Sequence, residues 1–438
     1  MVDLKERLNR LTSISKGEPE SKSPESKSDV LNDLRQRLDR VLEPKKVYQK
    51  KEILPIERLV KGEIVPTPDG ETFQAKEYFP PEYRCGEMAL GEILNISTSA
   101  AHLLSGDERL RGFDLQKTLF LDTETTGLSG GTGTFVFMVG LGFFQGDGFL
   151  IRQLFTRDYS EERACLSALN SLLESFEFLI TFNGKYYDIP LLETRFILSR
   201  MASKIKKMPN FDLLYPARKI WRGTYENCRL VTLESRLLGM ERVDDIPSEW
   251  IPSLYFDYLR TGDARRISRV FYHNQMDILS MVALAGRIHL VYHNPQAAQP
   301  RKGVEHFALG RLFWDHGHLE KAITCFEIAL QRCGDDLAWE ATKWLSRAFK
   351  KTGQGEKAQS LWKEMVTWPH PKDGFPYVEL AKYYEHRLKD CGSAMAYVEQ
   401  ALVQTPSHQE REIQGLLYRK RRLEQKTGRG ANGGEGLT

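Results

Sequence analysis

No two of the six cysteines (Cys85, Cys165, Cys228, Cys325, Cys333 and Cys391) form a Cys-x-x-Cys pair in this 438-residue chain. That scatter argues against a thiolate zinc site and against a disulfide framework, and it fits a reducing compartment. Charge of one sign is also missing. Lys plus Arg is 62 against 59 for Asp plus Glu, a formal net charge of +3. Such a balance excludes a uniformly basic nucleic-acid binder; any phosphate-binding surface must be local. Long hydrophobic runs are absent too. The uncharged stretch 125–146 holds seven glycines and only FVFMVGLGFF is apolar throughout, too short to span a bilayer. It reads as a buried strand reached through a Gly-rich turn. The opening MVDLKERLNR carries charge where a leader peptide needs an apolar core. A cytoplasmic protein without membrane contact is expected.

Length suggests about two to four domains. Residues 1–50 are rich in Ser, Glu and Lys and read as mostly disordered, with two short amphipathic pieces, LKERLNRL and LRQRLDRV. Residues 51–115 turn globular without a recognisable motif and are expected to pack on the α/β region that begins near 116. From 116 to 295 the pattern is α/β. KTLFLDTE, FVFMVGLGFF and FLIRQLFTRD are strands, the last two joined by a Gln-Gly-Asp-Gly hairpin turn. EERACLSALNSLLESF is a helix, EFLITFN a strand, DIPLLETRFILSRM a helix, and beyond Phe211 the pattern is helical almost throughout. Residues 304–426 repeat. Ala322, Ala358 and Ala394 stand 36 residues apart, each among similarly spaced large apolar residues. The pattern resembles tetratricopeptide repeats with a slightly long period, capped by a polar last helix. Residues 427–438 read as a flexible tail.

Three segments carry acids. Asp122-Thr-Glu124 ends an apolar strand, and alternation puts both carboxylates on one face. They repel unless a cation lies between them, and a hard ion with oxygen ligands, Mg²⁺ or Mn²⁺, suits the pair. Asp188 closes Asn183-Gly-Lys-Tyr-Tyr-Asp where a strand gives way to a helix; an ordinary N-cap is the competing reading. Asp277 follows His273-Asn-Gln-Met beside the apolar stripe of a long helix, where a lone Asp is commonly just a satisfied helix residue. SGGTGT at 129–134 lacks the Lys-Ser/Thr ending of a phosphate loop and reads as a turn. Arg195, Arg200, Lys204, Lys206 and Lys207, and the cluster Arg419–Arg422, are candidate phosphate contacts against the alternative of solvated helix faces.

LFLDTETTGL, TFNGKYYDIPLL and FYHNQMDI resemble the three motifs of the DEDD exonuclease superfamily. Within it the chain resembles the YprB-type family, and the resemblance covers about residues 80–410. It implies an α/β ribonuclease-H-like domain followed by an all-α tetratricopeptide domain. It implies two metal ions, Mg²⁺ or Mn²⁺, ~3.5–4 Å apart, held by Asp122, Glu124, Asp188 and Asp277. It also implies 3′–5′ cleavage of nucleic acid, with Thr125, Leu128, Asn183 and Lys185 against the substrate. DNA is the expected polymer; an exoribonuclease, and a repeat-based adaptor whose nuclease domain only binds, are the alternatives. The repeats imply a protein partner, a helicase by analogy. The water-orienting residue departs from the pattern. The superfamily has Tyr four or His five positions before the last acid; here His273 stands at four and Tyr272 at five. On a continuous helix i and i+4 share a face, which favours His273. Tyr272 takes its place if the helix starts just after residue 273.

Overall fold

The structure, a computed structural model, describes residues 52–127, 131–295, 302–332, 334–368, 373–406 and 408–431. The amphipathic pieces expected within 1–50, Leu128, and most of the tail lie outside the described residues. A hairpin comes first, β1 (Gly62–Thr67) and β2 (Gly70–Phe79), then the short pair β3 (Arg84–Cys85) and β4 (Met88–Ala89). Two one-turn helices, α1 (Leu90–Leu94) and α2 (Ala101–Ser105), lead to β5 (Thr118–Thr125). β6 (Val136–Gln145) and β7 (Gly148–Phe155) form the hairpin that the Gly-Asp turn calls for, with Gly146 at φ 60°. α3 (Glu162–Leu173), β8 (Phe178–Thr181), α4 (Asp188–Leu198) and β9 (Asn210–Asp212) come next.

The seven strands order as β1-β2-β7-β6-β5-β8-β9; only β5/β8 and β8/β9 are parallel. Two features differ from the sequence reading. The sheet does not begin near 116, because β2 of the preceding extension pairs along β7 from Phe73↔Phe155 to Phe79↔Phe149. β9 is a strand, yet three residues are too few to show a period of two.

Alternation along β5 sets the layers. Leu119 and Leu121 pack with Leu166, Leu169 and Leu192 of α3 and α4, while Phe120 faces the opposite core. That second face is covered by α8, which comes after α5 (Leu214–Trp221), α6 (Leu230–Leu233, continuing as a wider turn over Glu234–Leu238) and α7 (Ile251–Thr261). α8 spans Ser268–His293 and is buried along most of its length. It lies so close to β6 that a Cβ on Gly140 would stand 2.1 Å from Asn274 Oδ1, and one on Gly142 2.5 Å from Ile278. Gly140→Ala is therefore expected to lower stability by about 1–3 kcal/mol, the cost of overpacking, measurable by thermal unfolding.

Among the described residues seven α-helices follow: α9 (Gly303–Asp315), α10 (Leu319–Arg332), α11 (Asp335–Lys351), α12 (Gly355–Met365), α13 (Phe375–Tyr383), α14 (Cys391–Gln404) and α15 (Glu410–Ala431). α9/α10, α11/α12 and α13/α14 are hairpins, and α15 lies against α14. Ala322, Ala358 and Ala394 are fully buried on the second helix of each, where a small residue lets the pair close. Left-handed Gly317 and Gly353 turn the first two hairpins, and Lys389 at φ 59° the third. The helical array joins the α/β layer through one apolar core running from α8 to Leu380. Lys302 Nζ donates to the Thr224 carbonyl at 3.0 Å, and Tyr292 Oη lies 3.0 Å from His316 Nδ1. No described helix is long and apolar enough to cross a membrane.

Candidate metal centre

β5, α4 and α8 bring the acids together. β5 sends Asp122 and Glu124 toward α8, whose successive turns present His273 and Asp277. One oxygen each of Glu124 and Asp277 and a ring nitrogen of His273 lie within 4.8 Å of one another. His273 Nε2 is 3.5 Å from Asp277 Oδ2. Asp122 is held from α8 as well: Asn274 Nδ2 donates to its Oδ2 at 2.8 Å, and Gln153 Nε2 donates to Asn274 Oδ1 at 2.9 Å. Thr123 points to the other face of β5, and its hydroxyl donates to Asp188. Asp188 opens α4, yet its carboxylate takes this long-range bond, which the N-cap reading does not provide for.

The turn before Asp188 is fixed by an acid that the sequence reading missed. Asp212, the last residue of β9, accepts the N–H groups of Asn183 (2.9 Å), Lys185 (3.0 Å) and Leu214 (3.0 Å). Asn183 is left at φ 64°. Gly184 is needed there, because a Cβ would lie 2.9 Å from Asp188 Oδ2 and 2.6 Å from the Thr181 Cβ. Tyr187 Oη donates to the Gly127 carbonyl at 2.6 Å, and Thr125 Oγ1 to the same oxygen at 2.8 Å, tying the first motif to the second.

Of the two candidates on α8, His273 sits with the acids. Its Nδ1 lies 2.9 Å from Asp245 Oδ2, and its Nε2 3.3 Å from Ser248 Oγ. Tyr272 turns away; its hydroxyl accepts the Val243 N–H at 3.2 Å. Three cavities of about 930, 610 and 280 Å³ overlap above the acids and share Ser248. Thr125 and Asn183 line this trough, whereas Lys185 is exposed outside its walls. Exposed Arg229 and Arg218 line it too, and among the described residues neither is drawn into an ion pair.

The basic clusters read from the sequence behave otherwise. Arg195 pairs with Glu162 (2.7 Å), Lys206 with Glu193 (2.9 Å) and Lys204 with Glu174 (3.4 Å). Arg419, Arg422 and Lys426 all converge on buried Glu385, and Lys420 meets Glu399 at 2.9 Å. These cations pair with acids from other stretches of the chain, whereas Arg200, Lys207 and Arg421 of the same clusters are exposed.

Burial first, and then the charges of the neighbouring acids, push Asp122 and Glu124 well above the usual carboxylate range. Burial lifts Asp188 to about 6, against a partial offset from the Thr123 hydroxyl. Raised carboxylates stabilise the metal-free fold below their ordinary values, and that contribution is lost as pH rises through the folded ones. Cation binding needs the deprotonated forms. Stabilisation by Mg²⁺ or Mn²⁺ is thus expected to be small at pH 5 and larger at pH 8, which thermal unfolding with and without the ion measures.

Residues 119–289, from β5 to near the end of α8, match the RNase H superfamily. The chain is also 30% identical over 356 residues to the uncharacterized protein YprB of Bacillus subtilis (strain 168), covering 80% of this chain and 84% of that one. The chain belongs to the YprB family. In this YprB-family chain the superfamily match spans Asp122, Glu124, Asp188 and Asp277. Nucleases of the RNase H superfamily use divalent metals, and the centre fits such an ion: its carboxylate oxygens are hard donors, crowded enough to resist ionising together.

Proposed function

We propose that the chain is a metal-dependent 3′–5′ exonuclease that hydrolyses DNA. The supporting observation is the clustering of Glu124, His273 and Asp277 beneath an open trough that Asp122 and Asp188 also line, all four acids close enough to feel one another's charge. Two ions, Mg²⁺ or Mn²⁺, bound by the four carboxylates would supply an activated water and charge neutralisation at the phosphodiester. The chain's own groups do the rest. His273 Nε2, beside Asp277, takes the proton of the attacking water. Arg218 and Arg229 receive backbone phosphates along the trough. Thr125 and Asn183 wall the end of the trough nearest Glu124.

DNA is favoured by a finer resemblance of the motifs to mitomycin repair factor B, a bacterial DNA-repair exonuclease. The helical hairpins fit tetratricopeptide repeats that dock a protein partner, a helicase by analogy. The test uses purified protein with Mg²⁺ or Mn²⁺ on DNA and RNA labelled at either end. Stepwise shortening of 5′-labelled DNA from its 3′ end is expected. Preference for RNA would replace the substrate, and inertness on both polymers would favour the adaptor reading. His273→Ala is expected to lower kcat by about 10²–10⁴-fold, and Tyr272→Phe to leave it unchanged; the reverse pattern would give the proton-accepting role to Tyr272.

A further inference from the structure

Arg242 and Asp245 lie in the irregular segment between α6 and α7, outside every motif. Their side chains close a ring with the two α8 residues. Arg242 Nη1 reaches Asp245 Oδ2 at 2.9 Å, Asp245 meets His273 Nδ1, His273 Nε2 faces Asp277, and Asp277 Oδ1 returns to Arg242 Nη2. Glu234, almost fully buried in the widened turn after α6, braces Arg242 from behind. We infer that Asp245 is a positioning residue, holding His273 as the tautomer protonated on Nδ1 so that Nε2 keeps its lone pair toward the trough. The inference rests on the exonuclease reading for its consequence, though not for its geometry.

The two tautomers can be told apart by what surrounds Nδ1. Both Asp245 oxygens approach it, at 2.9 and 3.0 Å, and an ionised carboxylate only accepts. Among the described residues, the donor near Nδ1 in the opposite sense is Arg242 Nη1, and it stands off at 3.4 Å. A lone pair on Nδ1 would face two anionic oxygens in exchange for one long contact, so the proton belongs there. Nε2 then meets Ser248 Oγ, a hydroxyl that can donate to it, and the mouth of the metal centre. Asp245 cannot readily turn away, because the Ile246 N–H donates to Oδ1 at 2.8 Å while Arg242 holds Oδ2. In Asp245→Asn one of those two oxygens becomes an NH₂ that faces Nδ1, which weakens the preference for a proton there and raises the share of the Nε2-protonated tautomer.

The experiment reads the imidazole directly. The full chain labelled with ¹⁵N-histidine, free of metal at pH 8, is compared with His273→Gln, which identifies the His273 signals. The wild type is expected to show a protonated Nδ1 and an unprotonated Nε2, and Asp245→Asn to raise the Nε2-protonated fraction at the expense of the Nδ1-protonated one. With metal and end-labelled DNA, Asp245→Asn should lose about 10²–10³-fold in kcat with KM and Mn²⁺ affinity unchanged. A wild-type His273 protonated on Nε2 overturns the inference without any variant, which guards against misfolding. An Asp245→Asn protein with native tautomer and native kcat overturns it as well, while leaving the exonuclease reading intact. Activity that survives Asp122→Ala would instead overturn that reading and leave the tautomer result standing.

Discussion

Asp122→Ala is expected to reduce nucleic-acid hydrolysis by at least three orders of magnitude, about 4 kcal/mol of transition-state stabilisation. The reason lies in where Asp122 stands. It shares a strand face with Glu124, is aimed by Asn274, and feels the charges of Asp277 and Asp188. Under the proposed metal centre, removing it takes away a carboxylate that Glu124, fixed two residues on along β5, and the acids of α4 and α8 cannot replace. A companion variant separates chemistry from packing. Asp122→Asn keeps an acceptor for Asn274 Nδ2 but removes the charge that burial and neighbouring acids penalise. In chelator, the Asn protein should therefore unfold at a temperature equal to or above the wild type at pH 8. Its rise in melting temperature on adding Mn²⁺ should be smaller. Retained activity in Asp122→Ala on both DNA and RNA, under either metal, would dismiss the metal-centre proposal.

The largest stability loss is expected from Arg242→Ala. This guanidinium is only 7% exposed and pairs at once with Glu234, Asp245 and Asp277, whose side chains are 2%, 15% and 17% exposed. Deleting it strands three carboxylates in a pocket already crowded by Asp122 and Glu124. Breaking a buried pair by removing one partner costs about 3–5 kcal/mol, and the loss here should reach that range in denaturant unfolding of the metal-free protein. Arg242→Lys should recover only part of it, because an ammonium lacks the planar fork that meets two carboxylates side by side. Glu234→Gln combined with Arg242→Ala should cost less than the two singly, since the buried anion left by the arginine is gone. Strict additivity would show that the pair is not coupled. Saturating Mn²⁺ should rescue Arg242→Ala in part, by supplying another cation to Asp277.

Much of the centre was legible because its residues obey local periods. Asp122 and Glu124 follow the two-residue alternation of β5, and His273 and Asp277 the four-residue step of α8; both rules act within a few residues. The hairpin at Gly146 and the 36-residue recurrence of Ala322, Ala358 and Ala394 were readable for the same reason. What went unread acts across the chain. Asn274 and Gln153 look like polar residues in apolar elements until α8 is laid on β6 and β7. Arg242 and Asp245 lie in a stretch taken as helical, and nothing local marks them as partners of residues some thirty positions on. Lys204, Lys206, Arg419 and Arg422 looked like open charge because the acids that pair with them come from other elements. Arg218 and Arg229 belong to no cluster, yet they stand over the trough.

The sequence by itself determined that the chain makes an α/β layer followed by paired helices, and that the four acids sit on a strand end, a helix start and one face of a long helix. Hydrophobic periodicity and backbone geometry impose both, and neither needs distant contacts. Only the tertiary structure decided which charges remain uncompensated, which of His273 and Tyr272 faces the acids, and how the imidazole is held. Electrostatics in a buried site depends on distance through space, and the fold alone sets that distance.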